Sequence, residues 1–210
     1  MILSKTQRRQ FLELCLKKAQ YNPFDGKERL QELSQYVLPK LNLITPHAVC
    51  GAWAANNYAS PRATQDVDLL VRENDLDNIV FELQEQGYSV DGPLELCAKD
   101  QVGPMFGFRL IKLQSDFPIV DILTSEDSWV EEAIASADKD PSDNPVVSIP
   151  YLVLMKMDAR AQDMADIIRI LGKAKGEVLA KTKDLIIKYL PNSIDNFASL
   201  HLMASIESGK

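Results

Sequence analysis

The sequence predicts an α/β protein of the α+β kind, with a small mixed β-sheet flanked by helices. Two observations support this prediction: short aliphatic runs with strand-like alternation lie in the middle of the chain, and apolar residues recur at helical spacing towards both ends. The 210 residues, 46% of them apolar and 25% charged, are enough to build the core of one large domain or two small ones. We expect an N-terminal helical segment over 1–42 packed on the core, a central core over 43–149 and a C-terminal helical region over 150–210.

The individual elements follow from local patterns. Residues 4–7, Ser-Lys-Thr-Gln, have the sequence pattern of a capping box and precede an apolar stripe, which predicts a helix to about residue 20. A second helix should begin at Asp25 and end near Pro39. Further helices are predicted over 51–58, 74–86, 126–136, 150–171, 174–189 and 192–207. Strands are predicted over 47–50, 66–72, the segment between Gly87 and Gly92, 106–113, 117–123 and 146–149. The strands 106–113 and 117–123 should form a hairpin around a turn at 114–116, and residues 140–145 should form a loop.

Composition argues against several classes of function. The formal net charge of -7 argues against non-specific binding to nucleic acid, which depends on lysine and arginine. The lysines between residues 173 and 188 form either a local basic face or an ordinary solvated helix surface. Because no apolar run approaches the roughly 20 residues of a membrane-spanning helix and the N-terminus is polar, we expect no membrane partner and a cytoplasmic location. The three widely spaced cysteines are typical of reduced core thiols.

Two carboxylates on one predicted strand give the first indication of chemistry. Asp66 and Asp68 alternate with aliphatic residues, so their side chains project from the same face of the strand. A small-residue turn at Gly51 precedes them. Carboxylates held side by side suit a divalent cation, although solvent-facing residues of an edge strand would show the same pattern.

A third carboxylate, Asp121, lies among apolar residues on the predicted strand 117–123. Burial of an unpaired carboxylate is costly, so Asp121 needs a nearby cation or hydrogen-bond donor. If its strand lies beside that of Asp66 and Asp68, the three acidic groups crowd one edge of the sheet and require metal. Magnesium fits such oxygen ligands, and two ions roughly 4 Å apart can activate an attacking hydroxyl and stabilise a leaving pyrophosphate.

These residues resemble the DNA polymerase beta-like nucleotidyltransferase superfamily. Its members share a Gly-Gly or Gly-Ser turn at a helix start, Asp-x-Asp on the next strand and a third acidic residue on a later strand, and here Gly51-Ala52, Asp66-x-Asp68 and Asp121 stand in that order. The segment from Arg62 through Thr64 to Asp68 is similar to the Arg-x-Ser/Thr-x-Asp-Ile-Asp pattern of the AbiEii-type branch, which includes toxin nucleotidyltransferases. The resemblance covers residues 47–172 and implies a nucleotidyltransferase fold.

The resemblance also implies a role for each motif residue. Asp66 and Asp68 would hold the nucleotide-bound metal, and Asp121 would help to hold the catalytic metal and orient or deprotonate the acceptor. The nucleotide-binding residues it implies are Gly51, Ala52, Arg62 and Thr64. Ala52 departs from the pattern, because many members carry a hydroxyl there that contacts the triphosphate.

A second match lies in the predicted helix 150–171. Lys156, Arg160, Asp163 and Asp166 are similar to the Lys...Arg-x-x-Asp-x-x-Asp helix that follows the catalytic sheet in the AbiEii-like families. On one continuous helix Lys156, Arg160 and Asp163 would share a narrow ridge, with Arg160 close enough to pair with Asp163. Lys156 is the candidate for a triphosphate contact, and an exposed salt-bridged face is the alternative.

Arg109 precedes Asp121 by one predicted strand and allows two interpretations. It either contacts substrate or has a surface or sheet-pairing role.

Taken together, the sequence predicts a magnesium-dependent nucleotidyltransferase, with two ions expected. The enzyme would transfer a nucleoside monophosphate from a nucleoside triphosphate (NTP), ATP among them, to a hydroxyl on a protein, RNA or small molecule. A toxin-type role with a cognate antitoxin is implied by the AbiEii-type resemblance. The alternatives are a non-catalytic binding or antitoxin-like module, which Ala52 favours, and a metal-dependent phosphohydrolase.

Overall fold

A computed structural model describes residues 33–62, 64, 66–96, 102–112 and 118–209. The strands in these ranges are β1 His47–Val49, β2 Asp66–Val71, β3 Tyr88–Leu96, β4 Met105–Lys112, β5 Ile119–Thr124, β6 Asp138–Lys139 and β7 Pro145–Val146. The helices are α1 Leu38–Ile44, α2 Gly51–Tyr58, α3 Leu76–Glu85, α4 Trp129–Ala135, α5 Ile149–Lys156, α6 Ala161–Leu171, α7 Gly176–Tyr189 and α8 Ile194–Glu207. The predicted mixed α/β class is confirmed.

The strands form one mixed sheet in the order β3-β4-β5-β2-β1-β7-β6. At its centre β2 pairs in parallel with β5 and antiparallel with β1, and β4 pairs antiparallel with both β3 and β5. The hydrophobic core includes the fully buried side chains of Val67 and Leu69 on β2 and of Ile122 on β5. The catalytic candidates thus lie on the two central strands, where the sheet is supported on both sides by other strands.

The predicted hairpin is confirmed by the antiparallel pairing of β4 with β5, although its turn lies outside the described residues. Strand β3 is longer than predicted. The pairing of β3 with β4 shifts register between Val90 and Gly92 and then continues to Leu96, so Gly92 does not end the strand. The short strand β6 was not predicted, and β7 ends at Val146 because a helix starts at Ile149.

The first predicted helix and the start of the second lie outside the described residues. The predicted end of the second helix near Pro39 is wrong, because a π-helical turn over Leu33–Val37 leads into α1, which runs to Ile44. Pro39 lies in the first turn of α1, where a proline removes no intrahelical hydrogen bond.

The predicted continuous helix over 150–171 is also wrong. Helix α5 ends at Lys156, Met157 takes an extended conformation and Asp158 adopts a left-handed conformation with φ 55°, before α6 begins at Ala161. Lys156 and Asp163 are therefore on different helices and do not share a ridge. No helix in the described ranges is both long and apolar enough to cross a membrane.

Candidate active site

The three predicted aspartates come together on neighbouring strands. Asp68 of β2 lies directly opposite Asp121 of β5 in the parallel register, with Asp66 two residues before Asp68 on the same face. One carboxylate oxygen from each of the three lies within 4.8 Å of the others. The sequence predicted that the three carboxylates would crowd together if their strands were neighbours, and the β2–β5 pairing brings them together.

The effect of this crowding is clearest in the pKa of Asp68. Burial, followed by the negative charges of Asp66 and Asp121, raises the pKa of Asp68 to about 7, while Lys156 and Arg160 act in the opposite direction. None of the residues that the structure describes donates a hydrogen bond to its carboxylate. A bound cation would favour the ionised form of Asp68, and three converging carboxylates are a donor set that fits a hard divalent ion such as Mg²⁺.

Gly51 allows Asp68 to approach the start of α2. Its φ is +60°, and a Cβ added at this position would lie only 1.7 Å from Oδ2 of Asp68. The backbone N–H of Cys50 donates to the carbonyl of Asp68 at 2.8 Å, which fixes the turn against β2. A glycine is required where the turn contacts the Asp68 carboxylate, since any larger residue would displace that carboxylate.

Ala52 follows in the first turn of α2 and is 6% exposed. Its methyl group supplies no hydrogen-bond donor. The polar groups that this turn offers are therefore the backbone N–H groups at the start of α2, which are suited to an anion.

Thr64 positions Asp66. Its hydroxyl donates to Oδ1 of Asp66 at 2.5 Å and lies 3.3 Å from the carbonyl oxygen of the same residue. Thr64 is buried, so its hydrogen bond to Asp66 is largely shielded from solvent. The Arg-x-Thr-x-Asp spacing in the sequence thus corresponds to a threonine that orients a candidate metal ligand.

Arg62 forms a two-pronged ion pair with Asp166 of α6. Its Nε and Nη2 donate to the two carboxylate oxygens at 3.0 and 3.1 Å, and this bonding raises the pKa of Arg62. Asn56 of α2 holds the same residue through its backbone, accepting from the N–H of Arg62 and donating to its carbonyl. The sequence identified Arg62, but Asn56 was missed because its contact depends on how the loop returns to α2.

Lys156 is buried, and its ammonium group is engaged with two carboxylates. Its Nζ lies 2.7 Å from Oδ1 of Asp163 and 3.0 Å from Oδ2 of Asp166. Burial opposes ionisation of Asp163 and Asp166, but Lys156 and the arginines bonded to them lower the pKa of both carboxyls. Lys156 thus joins α5 to α6 although the helix is broken between them.

Arg160 does pair with Asp163, at 2.9 Å, as its three-residue spacing predicted. Its side chain is 85% exposed, whereas that of Lys156 is 7% exposed. The charges of Asp68 and Asp66 contribute to raising the pKa of Arg160, after its bond to Asp163. Arg160 therefore presents an accessible positive charge near the aspartate cluster.

Arg109 supplies the partner that Asp121 was expected to need. The two residues are opposite each other on β4 and β5, and Nε and Nη2 of Arg109 donate to the two oxygens of Asp121 at 2.9 and 2.8 Å. The pairing across the sheet, one of the two interpretations of Arg109, is present in the structure.

Comparisons with known proteins extend the description of the fold. No protein-family model and no curated protein matches the sequence. Among solved structures, the antibiotic-resistance factor ANT(2'')-Ia is similar over 82% of this chain and 98% of its own length, with a TM-score of 0.52 and 14% identity. The fold is therefore the nucleotidyltransferase fold that the sequence predicted.

Two RNA-modifying enzymes are also similar, at lower scores. The Cid1 poly(U) polymerase matches with a TM-score of 0.33 and 14% identity over 80% of this chain, and a cytoplasmic RNA terminal U-transferase with 0.33 and 16% over 85%. This chain spans about half the length of each, 47% and 48%.

Proposed function

We propose that this protein is a metal-dependent nucleotidyltransferase that transfers a nucleoside monophosphate from an NTP to a hydroxyl group. The observation that carries the proposal is the convergence of Asp66, Asp68 and Asp121 within 4.8 Å beside the Gly51 turn. The nucleotidyltransferase fold supports it, because the cluster lies on the two central strands of that fold.

In this proposal Asp66 and Asp68 hold the nucleotide-bound Mg²⁺, and Asp121 faces the acceptor. When bound, the metal polarises the triphosphate and stabilises the charge of the leaving pyrophosphate. The acceptor oxygen forms a bond to the α-phosphorus, the bond from that phosphorus to the bridging oxygen breaks, and the hydroxyl proton passes to Asp121. Thr64 keeps Asp66 in position throughout.

We choose the groups that would contact the triphosphate by their exposure to solvent. The backbone N–H groups at the start of α2, at Gly51 and Ala52, suit the triphosphate in the absence of a side-chain hydroxyl. Arg160, which is exposed near the cluster, is a better candidate for a direct contact than the buried Lys156. Arg62 and Lys156 then support α6 through Asp166.

We extend the proposal to the acceptor and the biological role. The acceptor is a hydroxyl of a protein, an RNA or a small molecule, and the Arg62-to-Asp68 pattern favours a toxin-type enzyme of the AbiEii kind. A cytoplasmic location and a cognate antitoxin belong to this extension.

The test is incubation with NTPs labelled at the α-phosphate and candidate acceptors, using Asp66→Asn as the inactive variant. Asp184→Asn on the exposed face of α7 is the matched control. Wild type and the control should label the acceptor and Asp66→Asn should not. Equal labelling by wild type and Asp66→Asn would overturn the proposal.

A non-catalytic binding or antitoxin-like module is the second candidate, favoured by Ala52 and by the engagement of Asp121 with Arg109. Such a module would not label any acceptor. Calorimetry with Mg²⁺ and NTP separates the candidates further, because a degenerate site should bind no nucleotide in a metal-dependent way.

A further inference from the structure

Arg109 balances the negative charge of one of the three carboxylates in the aspartate cluster, that of Asp121. Its guanidinium donates two hydrogen bonds to the carboxylate of Asp121, one to each oxygen. A paired carboxylate of this kind has its charge balanced and both oxygens engaged by a rigid planar donor. Asp66 and Asp68 carry the remaining negative charge of the cluster.

The backbone holds Arg109 in this place. It stands opposite Asp121 on one side and opposite Gly92 on the other, so its side chain lies on the same face as the cluster. The bond to Asp121 is the main reason that the pKa of Arg109 is raised, so the guanidinium is charged at every accessible pH. Its positive charge is therefore a fixed part of the site.

The Arg109 side chain is partly exposed. It is 40% exposed, whereas the Asp121 side chain is 9% exposed. At Gly92, its cross-strand neighbour, an added Cβ would meet no described atom within 4 Å. Arg109 therefore lies closer to solvent than the carboxylate with which it pairs.

Two divalent ions at this cluster would need an oxygen of Asp121, and each of these oxygens already accepts a hydrogen bond from Arg109. With all three carboxylates ionised and no nucleotide bound, the carboxylates and Arg109 carry a formal charge of about -2, which is the charge that one divalent ion balances. A second ion would also stand close to the guanidinium, and that repulsion opposes its binding.

We propose that Arg109 is a positioning residue that takes the place of one of the two expected metal ions, so that the site holds a single divalent cation at Asp66 and Asp68 while Arg109 remains on Asp121. This inference rests on the proposed function and replaces the two ions expected from the sequence with one. In the one-ion site Arg109 orients Asp121 towards the acceptor, a task that the second ion would otherwise perform.

The test counts bound Mn²⁺ per chain by equilibrium dialysis, with and without a non-hydrolysable ATP analogue. Wild type should bind one ion and Arg109→Lys, which keeps the charge, should also bind one. Arg109→Gln should bind two, with the second ion at least tenfold tighter than any second ion in wild type. Arg72→Gln is the matched control, because Arg72 pairs with Asp75 and Glu131 away from the cluster.

Two ions in wild type, or one ion in Arg109→Gln, would overturn the inference while leaving the proposed function intact. A fall in affinity for the ATP analogue with an unchanged ion count would overturn it as well, and would place Arg109 on the nucleotide. Binding of no Mn²⁺ by any variant, with or without the analogue, would overturn the inference and the proposed function together. If Arg109→Gln fails to fold, the wild-type count still tests the inference, because two bound ions would overturn it.

Discussion

Replacing Asp68 by asparagine should stabilise the metal-free protein at alkaline pH. In the fold, burial and the neighbouring Asp66 and Asp121 raise the pKa of this carboxyl to about 7, against an ordinary value of about 3.9. The folded state therefore holds the Asp68 proton more tightly than the unfolded state does. As the pH rises from about 4 to about 7, the unfolded state gains more from ionisation, and the free energy of unfolding falls.

The size of the effect follows from the same comparison. About three pH units separate the two pKa values, and each is equivalent to about 1.4 kcal/mol, so the full effect above pH 7 is at most about 4 kcal/mol. Asparagine has no proton to lose and keeps a similar shape. The free energy of unfolding of Asp68→Asn should exceed that of wild type by an amount that grows from near zero at pH 4 to a plateau above pH 7.

The assay is urea unfolding in EDTA at pH 4, 5, 6, 7 and 8, with Asp184→Asn as a control for the loss of an exposed carboxylate. Adding Mg²⁺ at pH 8 should stabilise wild type and leave Asp68→Asn unchanged, since a ligand stabilises the state that binds it. A difference between Asp68→Asn and wild type that does not change with pH would refute the reasoning. So would a variant less stable than wild type at pH 8.

Three further substitutions test the supporting contacts. Gly51→Ala should lower the free energy of unfolding by about 1–3 kcal/mol, because alanine at φ +60° is strained and its Cβ meets Asp68. Adding Asp68→Ala should recover part of that cost, as measured by urea unfolding. Thr64→Val should lower the rate of nucleotidyl transfer about 10- to 100-fold with little change in Tm, because Asp66 loses the hydroxyl that orients it, and Thr64→Ser should restore the rate. Lys156→Met should cost about 3–5 kcal/mol, because it leaves two buried aspartates without their shared lysine.

The outcomes that would contradict these predictions differ for each site. Additive costs in the Gly51 and Asp68 double variant would mean that the two residues do not compete for space. An unchanged rate in Thr64→Val would remove the threonine from the site. If Lys156→Met kept its Tm but lost affinity for nucleotide, the lysine would contact the triphosphate after all, and Lys183→Met on the exposed face of α7 is the control.

The central part of the site could be predicted from sequence because its geometry is local. Alternation in a strand places Asp66 and Asp68 on one face whatever the rest of the chain does. The position of Asp121 beside them required only that two short strands be neighbours, which the β2–β5 pairing confirms. The need of Asp121 for a partner was likewise a consequence of burial, and Arg109 satisfies it.

The remaining features depend on contacts between distant parts of the chain. Helical periodicity continues through Met157 to Arg160, so nothing in the apolar pattern indicates the break after Lys156, where Met157 is extended and Asp158 is left-handed. Asp166 accepts from Arg62, Lys156 and Arg169, yet in sequence it is only the last position of a family-like motif. The close approach of Asp68 to Gly51 depends on how α2 meets β2.

The measurement that tests the central claim most directly is calorimetric titration of a non-hydrolysable NTP into the protein, with Mg²⁺ and with EDTA. The proposed site predicts that wild type binds the nucleotide in Mg²⁺, loses that binding in EDTA, and loses it in Mg²⁺ when Asp66 is replaced by asparagine. Binding that is equal in Mg²⁺ and EDTA, or that is unaffected by Asp66→Asn, would contradict a metal-dependent nucleotide site at the three aspartates.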